Sequence, residues 1–194
     1  MSRFLRKLLG SKVETSAAPQ RVDDGDTDRS SDDHWARVEA AREAAGRSHA
    51  AFADALSEIL FGCHPETIAS FDQWLLAQCG RAARWDLWGA AYVINGGCSD
   101  DGFIDFRYGL VSQGRATFEA ALADPDSLAG LELALDEEEG LFFESLGSVA
   151  HEAYEQRMGR ELDAVVQSEE ILGVAWDEAD LPRLFPKLTA RYGG

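Results

Sequence analysis

The stretch WDLWGAAYVINGGCSDDGFIDFRYGL, residues 85–110, decides the fold. From Trp85 to Ile94 it is apolar nearly all round, and a helix of that kind is buried on several sides. We therefore expect a central buried helix near 85–94. Asn95-Gly96-Gly97 ends it, because glycine takes the positive φ of a helix C-cap without a steric cost. Ser99-Asp100-Asp101 then supplies an N-cap and acidic first turn for the next helix, which carries Phe103, Phe106, Leu110 and Val111 inward.

Helical spacing continues on both sides. Upstream, the acidic cap Ser31-Asp32-Asp33 opens a helix with Trp35, Val38, Ala41 and Ala45 on one face, closed by Gly46. Ser48 caps a second with Phe52, Leu56, Ile59 and Leu60, and Pro65 opens a third with Ile68, Phe71, Leu75 and Cys79, stopped at Gly80. Downstream, Gly114 precedes a helix through Phe118 and Leu122, and Asp124-Pro125-Asp126 is a turn. A brief helical stretch at Leu128–Leu135 and an acidic run, Asp136–Glu139, lead into a long helical pattern through Leu141, Phe142, Leu146, Val149 and Tyr154. Val165 to Trp176 reads as a short extended excursion, and Asp180-Leu181-Pro182 starts a last helix through Phe185 and Leu188. No hairpin pattern is present. The expected fold is all-α, an irregular bundle of seven to nine helices.

Composition divides the chain in two. Residues 1–31 read as a disordered tail, polar from Gly10 onward, with a short basic amphipathic start in which Phe4, Leu5, Leu8 and Leu9 are interspersed with Arg3, Arg6 and Lys7. Residues 32–194 read as a single helical domain. The net charge is −17; the first twelve residues carry +4, which leaves −21 for the rest. A body of that sign repels phosphate backbones, so nucleic acid is not the expected partner, whereas a basic protein is. No apolar run approaches the ~18 residues that span a bilayer. Contact with a membrane is left only to the N-terminal start, as a peripheral touch. Three cysteines, Cys63, Cys79 and Cys98, without C-x-x-C spacing, read as reduced thiols and point to the cytoplasm.

No complete catalytic or metal-binding motif stands out. The histidines His34, His49, His64 and His151 are single, and His151-Glu152 begins a zinc-protease pattern that no second histidine completes. No Gly-rich phosphate loop and no nucleophile elbow is present. No metal and no cofactor is therefore expected. The one dense polar cluster lies along 85–107: Trp85, Asp86, Trp88, Asn95, Cys98, Ser99, Asp100, Asp101 and Arg107. Capping alone explains most of these residue types. Arg107 is spaced poorly for Asp101 or Asp105 on its own helix and is expected to reach another, with Asp86 as a candidate.

The stretch from Trp85 to Ala129, followed by FFESLGSVAHEAYE, resembles the bacterial domain-of-unknown-function 4240 family. The residues that carry the likeness are Asp86, Leu87, Trp88, Ala91, Gly97, Ser99, Asp100, Asp101, Phe103, Phe106, Arg107, Leu110, Gly114, Asp124 and Pro125. It extends over about 35–154. Tyr108-Gly109 departs from it where the family often has a tryptophan after the arginine. The resemblance implies a helical fold and names no reaction. The acidic body, with no complete catalytic constellation, points to a non-catalytic protein-interaction module, an adaptor or a neutraliser of a basic partner, rather than an enzyme. The alternative is an enzyme or small-ligand binder with a pocket at the 95–107 helix-loop-helix turn, Asp100 or Asp101 acting as acid or base and Arg107 holding an anion.

Overall fold

The computed structural model describes residues 24–46, 48–131, 140–165 and 170–193. Among these the chain forms nine α-helices: α1 (Asp24–Ala45), α2 (His49–Phe61), α3 (Pro65–Arg81), α4 (Trp85–Asn95), α5 (Asp100–Ser112), α6 (Arg115–Ala123), α7 (Leu146–Met158), α8 (Leu181–Leu184) and α9 (Pro186–Tyr192). Short 3-10 helices cover Pro125–Gly130 and Glu178–Asp180. The described residues contain no strand, only one isolated parallel bridge between Arg84 and Leu172. The fold is an all-α multi-helix bundle.

Local chemistry sets the helix ends. Ser48 caps α2 by accepting from Ala51 N at 3.2 Å, Pro65 starts α3, and Ser99 caps α5 by accepting from Gly102 N at 3.1 Å. Gly96 closes α4 at φ 66, in the left-handed region that glycine alone enters cheaply. α1 lies along α2, α7 covers α2 and α3, and α5 packs on α3. Buried residues from Trp35 to Leu188 form one hydrophobic cluster. Leu87, Gly89, Ala90 and Ala91 of α4 are buried, while its wider apolar belt, Trp85, Trp88, Tyr92, Val93 and Ile94, is half-buried. On that belt lies a C-terminal strap: α8 and α9 pack on α4, and Trp176 Nε1 donates to Trp85 O at 2.8 Å.

Four expectations need correction. α1 begins at Asp24, so Ser31, Asp32 and Asp33 lie inside it and not at its cap. Their side chains serve tertiary contacts instead: Ser31 Oγ accepts from Trp74 Nε1 at 3.1 Å, and Asp32 pairs with Arg115. The long helix expected through Leu141 and Phe142 starts only at Leu146. Upstream of it the chain crosses α5, where Phe143 N donates to Asp105 O at 3.0 Å and a Cβ on Gly109 would stand 1.6 Å from Leu141 O. Phe143, rather than the half-buried Phe142, enters the core. The stretch expected to be helical from Leu128 is, up to Gly130, the end of a 3-10 turn. The final helix is split at Phe185, because Pro186 cannot continue α8. The tail to residue 23, including the basic amphipathic start, and the acidic run Asp136–Glu139 lie outside the described residues.

Candidate functional site

The α4–α5 turn holds the dense polar cluster, and local bonds account for most of it. Asn95 Nδ2 donates to Gly97 O at 3.1 Å, and Trp88 Nε1 reaches over the turn to Cys98 O at 3.0 Å. Ser99 is the α5 cap, and Asp100 and Asp101 are exposed in the first turn. Burial pushes the Cys98 thiol up to about 11, with Asp105 adding to the shift and a hydrogen bond from Trp88 opposing it. At that value it is a thiol, not a nucleophilic thiolate, at neutral pH.

Below the turn the aromatic rings form a ladder. Trp85 stacks on Trp88 at 5.1 Å and Trp88 on Phe103 at 5.0 Å, with interplanar angles of 10° and 7°. The Arg107 guanidinium lies 5.1 Å from the Phe103 ring. Arg107 is 1% exposed, and its Nε and Nη1 donate to Phe103 O and Cys79 O, each at 3.3 Å. It does reach another helix, α3, but not Asp86. The Asp86 carboxylate is held by Arg84, Nε to Oδ1 at 3.1 Å and Nη2 to Oδ2, and it also accepts from Leu87 N at 2.8 Å. The structure thus links Trp85, Trp88, Phe103 and Arg107 in one ladder, with Cys98 joined to it through Trp88, and leaves the Asp86 carboxylate at the start of α4 paired with Arg84 and not with Arg107. Arg107 is thus tied to α3 and to its own helix and almost wholly removed from solvent.

A shallow depression of roughly 620 Å³ lies beside the start of α4, lined by Arg81, Arg84, Glu119, Leu122, Ala123 and Leu172. It is about one length of α4, ~16 Å, from the 95–107 turn. Both arginines in its wall are already paired, Arg81 with Glu119 through two bonds of 2.8 Å and Arg84 with Asp86.

Two histidine sites escaped the sequence reading because their partners are on other helices. His34 on α1 is 2% exposed and 2.8 Å from Ser70 Oγ on α3. Burial, helped by Arg37, lowers its pKa to about 4, against a smaller opposing pull from Asp33. Arg37 Nη1 donates to Nδ1 at 3.4 Å, and a guanidinium can only donate. Nε2 faces two hydroxyls, Ser70 Oγ at 2.8 Å and Ser30 Oγ at 3.5 Å. His151 on α7 lies 3.3 Å from Asp72 Oδ1 on α3. Its pKa is raised, chiefly by that hydrogen bond and against desolvation. Among the described residues no group of three His, Cys, Asp or Glu side chains is arranged to hold a metal ion.

A family model described as a protein of unknown function, DUF4240, matches residues 30–156. The chain belongs to that family. The DUF4240 match takes in α4, α5, the aromatic ladder and both histidine sites, and it ends inside α7, before the strap. No curated protein and no solved structure matches the chain. No described helix is long and apolar enough to cross a membrane.

Proposed function

We propose that this protein is a non-catalytic interaction module that takes a basic protein partner. The observation that supports the reading is the division of labour at the α4–α5 turn. Ser99 caps α5 and Asn95 and Trp88 are taken up by bonds to turn carbonyls, while Asp100 and Asp101 are exposed and make no ion pair among the described residues. On a chain of net charge −17 such carboxylates attract a polycation and pay little desolvation on the way. The test is affinity capture from the native host at low and high salt, with Asp100→Asn/Asp101→Asn as the control. The expected result is a basic partner that is retained at low salt, lost as screening rises and weakened by the double variant. Capture that ignores both salt and the variant overturns the proposal.

A second reading has one observation in its favour. The half-buried indole of Trp88 bonds to Cys98 O in the turn that leads into Asp100 and Asp101, and an aromatic ring in the same region as exposed carboxylates suits a small cationic or hydroxyl-rich ligand. Thermal-shift screening on wild type and Asp101→Asn separates the two, because a ligand that stabilises only the wild type favours the small-molecule site.

A further inference from the structure

The strap is held to its seat by three apolar side chains and a carboxylate. Leu181, Phe185 and Leu188 are 3%, 4% and 0% exposed. The Phe185 ring occupies the space above Gly89, where a Cβ would meet it at 2.7 Å. Asp126, itself 5% exposed, accepts from Lys187 N at 3.1 Å and Leu188 N at 2.9 Å. Asp124 faces Lys187 Nζ at 3.6 Å, and Arg191 donates to Ala129 O at 2.6 Å. Residues 181–193 contain Arg183, Lys187 and Arg191 and no acid, so a basic apolar segment lies on an acidic apolar seat in a strongly acidic chain.

The same short pattern occurs once more. Arg183-Leu184-Phe185-Pro186-Lys187-Leu188 reads arginine, apolar, apolar, any residue, lysine, leucine, and Arg3-Phe4-Leu5-Arg6-Lys7-Leu8 reads identically. Met1, Leu5 and Leu8 also repeat the four-then-three spacing of Leu181, Phe185 and Leu188. We propose that the strap's seat on α4 and the 125–130 turn is a receptor for this pattern, and that Arg3–Leu8 of the same chain is its second ligand, competing with the strap. The proposal rests on the interaction-module reading and names the class of segment recognised.

The chemistry transfers at the positions that touch the seat, with Leu5 for Phe185, Lys7 for Lys187 and Leu8 for Leu188; Arg183, bonded to Asp180, and Leu184 are exposed and contribute nothing to the match. The two bonds to Asp126 come from backbone N–H groups, which Lys7 and Leu8 supply as well as Lys187 and Leu188 do. Length permits it too. Leu9–Asp23 is fifteen residues, which reach at most about 50 Å, while a domain of this size is roughly 40 Å across.

The test uses the full chain and a labelled Met1–Lys12 peptide, read by anisotropy and by hydrogen exchange of residues 186–192. The expected result is saturable binding that speeds exchange of the strap amides by about threefold or more. A Lys7→Glu peptide should do neither. In the full chain Leu5→Asp/Lys7→Glu should slow strap exchange below wild type. Strap exchange unchanged at peptide saturation overturns the proposal. So does a Lys7-dependent effect that appears only as the protein dimerises, since the occupant is then a second copy. Salt-sensitive capture of a basic partner with an unperturbed strap leaves the module standing and removes this inference. Peptide-driven strap release without any salt-sensitive partner does the reverse.

Discussion

Two histidines dock on α3 two residues apart and have their pKa values moved in opposite directions. His34 comes from α1 to Ser70, between the edges of Phe71 and Trp74 at 5.5 and 5.4 Å, beside a cation. His151 comes from α7 to the buried carboxylate of Asp72. Burial opposes protonation at both, but at His34 only the weak pull of Asp33 works against it, whereas at His151 the hydrogen bond to a carboxylate outweighs it. The difference teaches that a lone histidine in this sequence has no intrinsic role. Its surroundings in the fold, burial and Arg37 at His34, the Asp72 carboxylate at His151, decide which way its proton affinity moves.

The largest consequence is in acid. His34 binds a proton near 6.5 when unfolded and near 4 when folded, so it contributes stability that is present above 6.5 and lost as pH falls toward 4. That loss is worth roughly 3 kcal/mol. Urea unfolding of wild type and His34→Gln at pH 7.5 and pH 4 should show the wild type's advantage shrinking by about that amount; a constant difference breaks the contrast on this side. Next in size is Asp72→Asn, expected to cost about 1–3 kcal/mol near pH 6 and to return the His151 titration toward 6.5. An NMR titration of His151 that does not move would show that Asp72 is not what holds its proton.

A smaller effect has the opposite sign. Because the folded pKa of His151 is raised, its contribution is fully present below 6.5 and is lost as pH rises through the folded value. Comparing wild type with His151→Gln at pH 6 and pH 9 should reveal a wild-type advantage confined to the lower pH. The smallest effect sharpens the cause at His34. Arg37→Met removes the second contributor and leaves the first, so the pKa should climb from about 4 yet stay below 6.5. Full recovery to 6.5 would mean that charge, not burial, dominates.

Helices whose ends are written locally were legible in the sequence. Gly46, Ser48, Gly96 and Ser99 stop or start their helices by bonds within four residues, and Pro65 starts its own by its fixed φ, all of which a linear reading can see. What failed depended on distant partners. The Leu141 segment is unwound because it crosses α5 at Gly109, and Ser31 and Asp32 are taken up by Trp74 and Arg115. The candidate turn was legible as caps for the same reason that the helices were. Arg107, in contrast, was recognisable as unusual but not as bonded to Cys79, because Cys79 O is a carbonyl on another helix and carbonyls leave no mark in sequence. Asp72 and Ser70 carried no signal at all until α1 and α7 were laid against α3.

The seat built by Gly89 and Asp126 also has a consequence in time. Synthesis runs from the N-terminus at about 5–20 residues per second, so α4 and the 125–130 turn emerge several seconds before Phe185 and Leu188 arrive to cover them. Throughout that interval the strap cannot cover the apolar groove and its carboxylate, and the proposed second ligand, Arg3–Leu8, which left the ribosome first, meets the surface without its competitor.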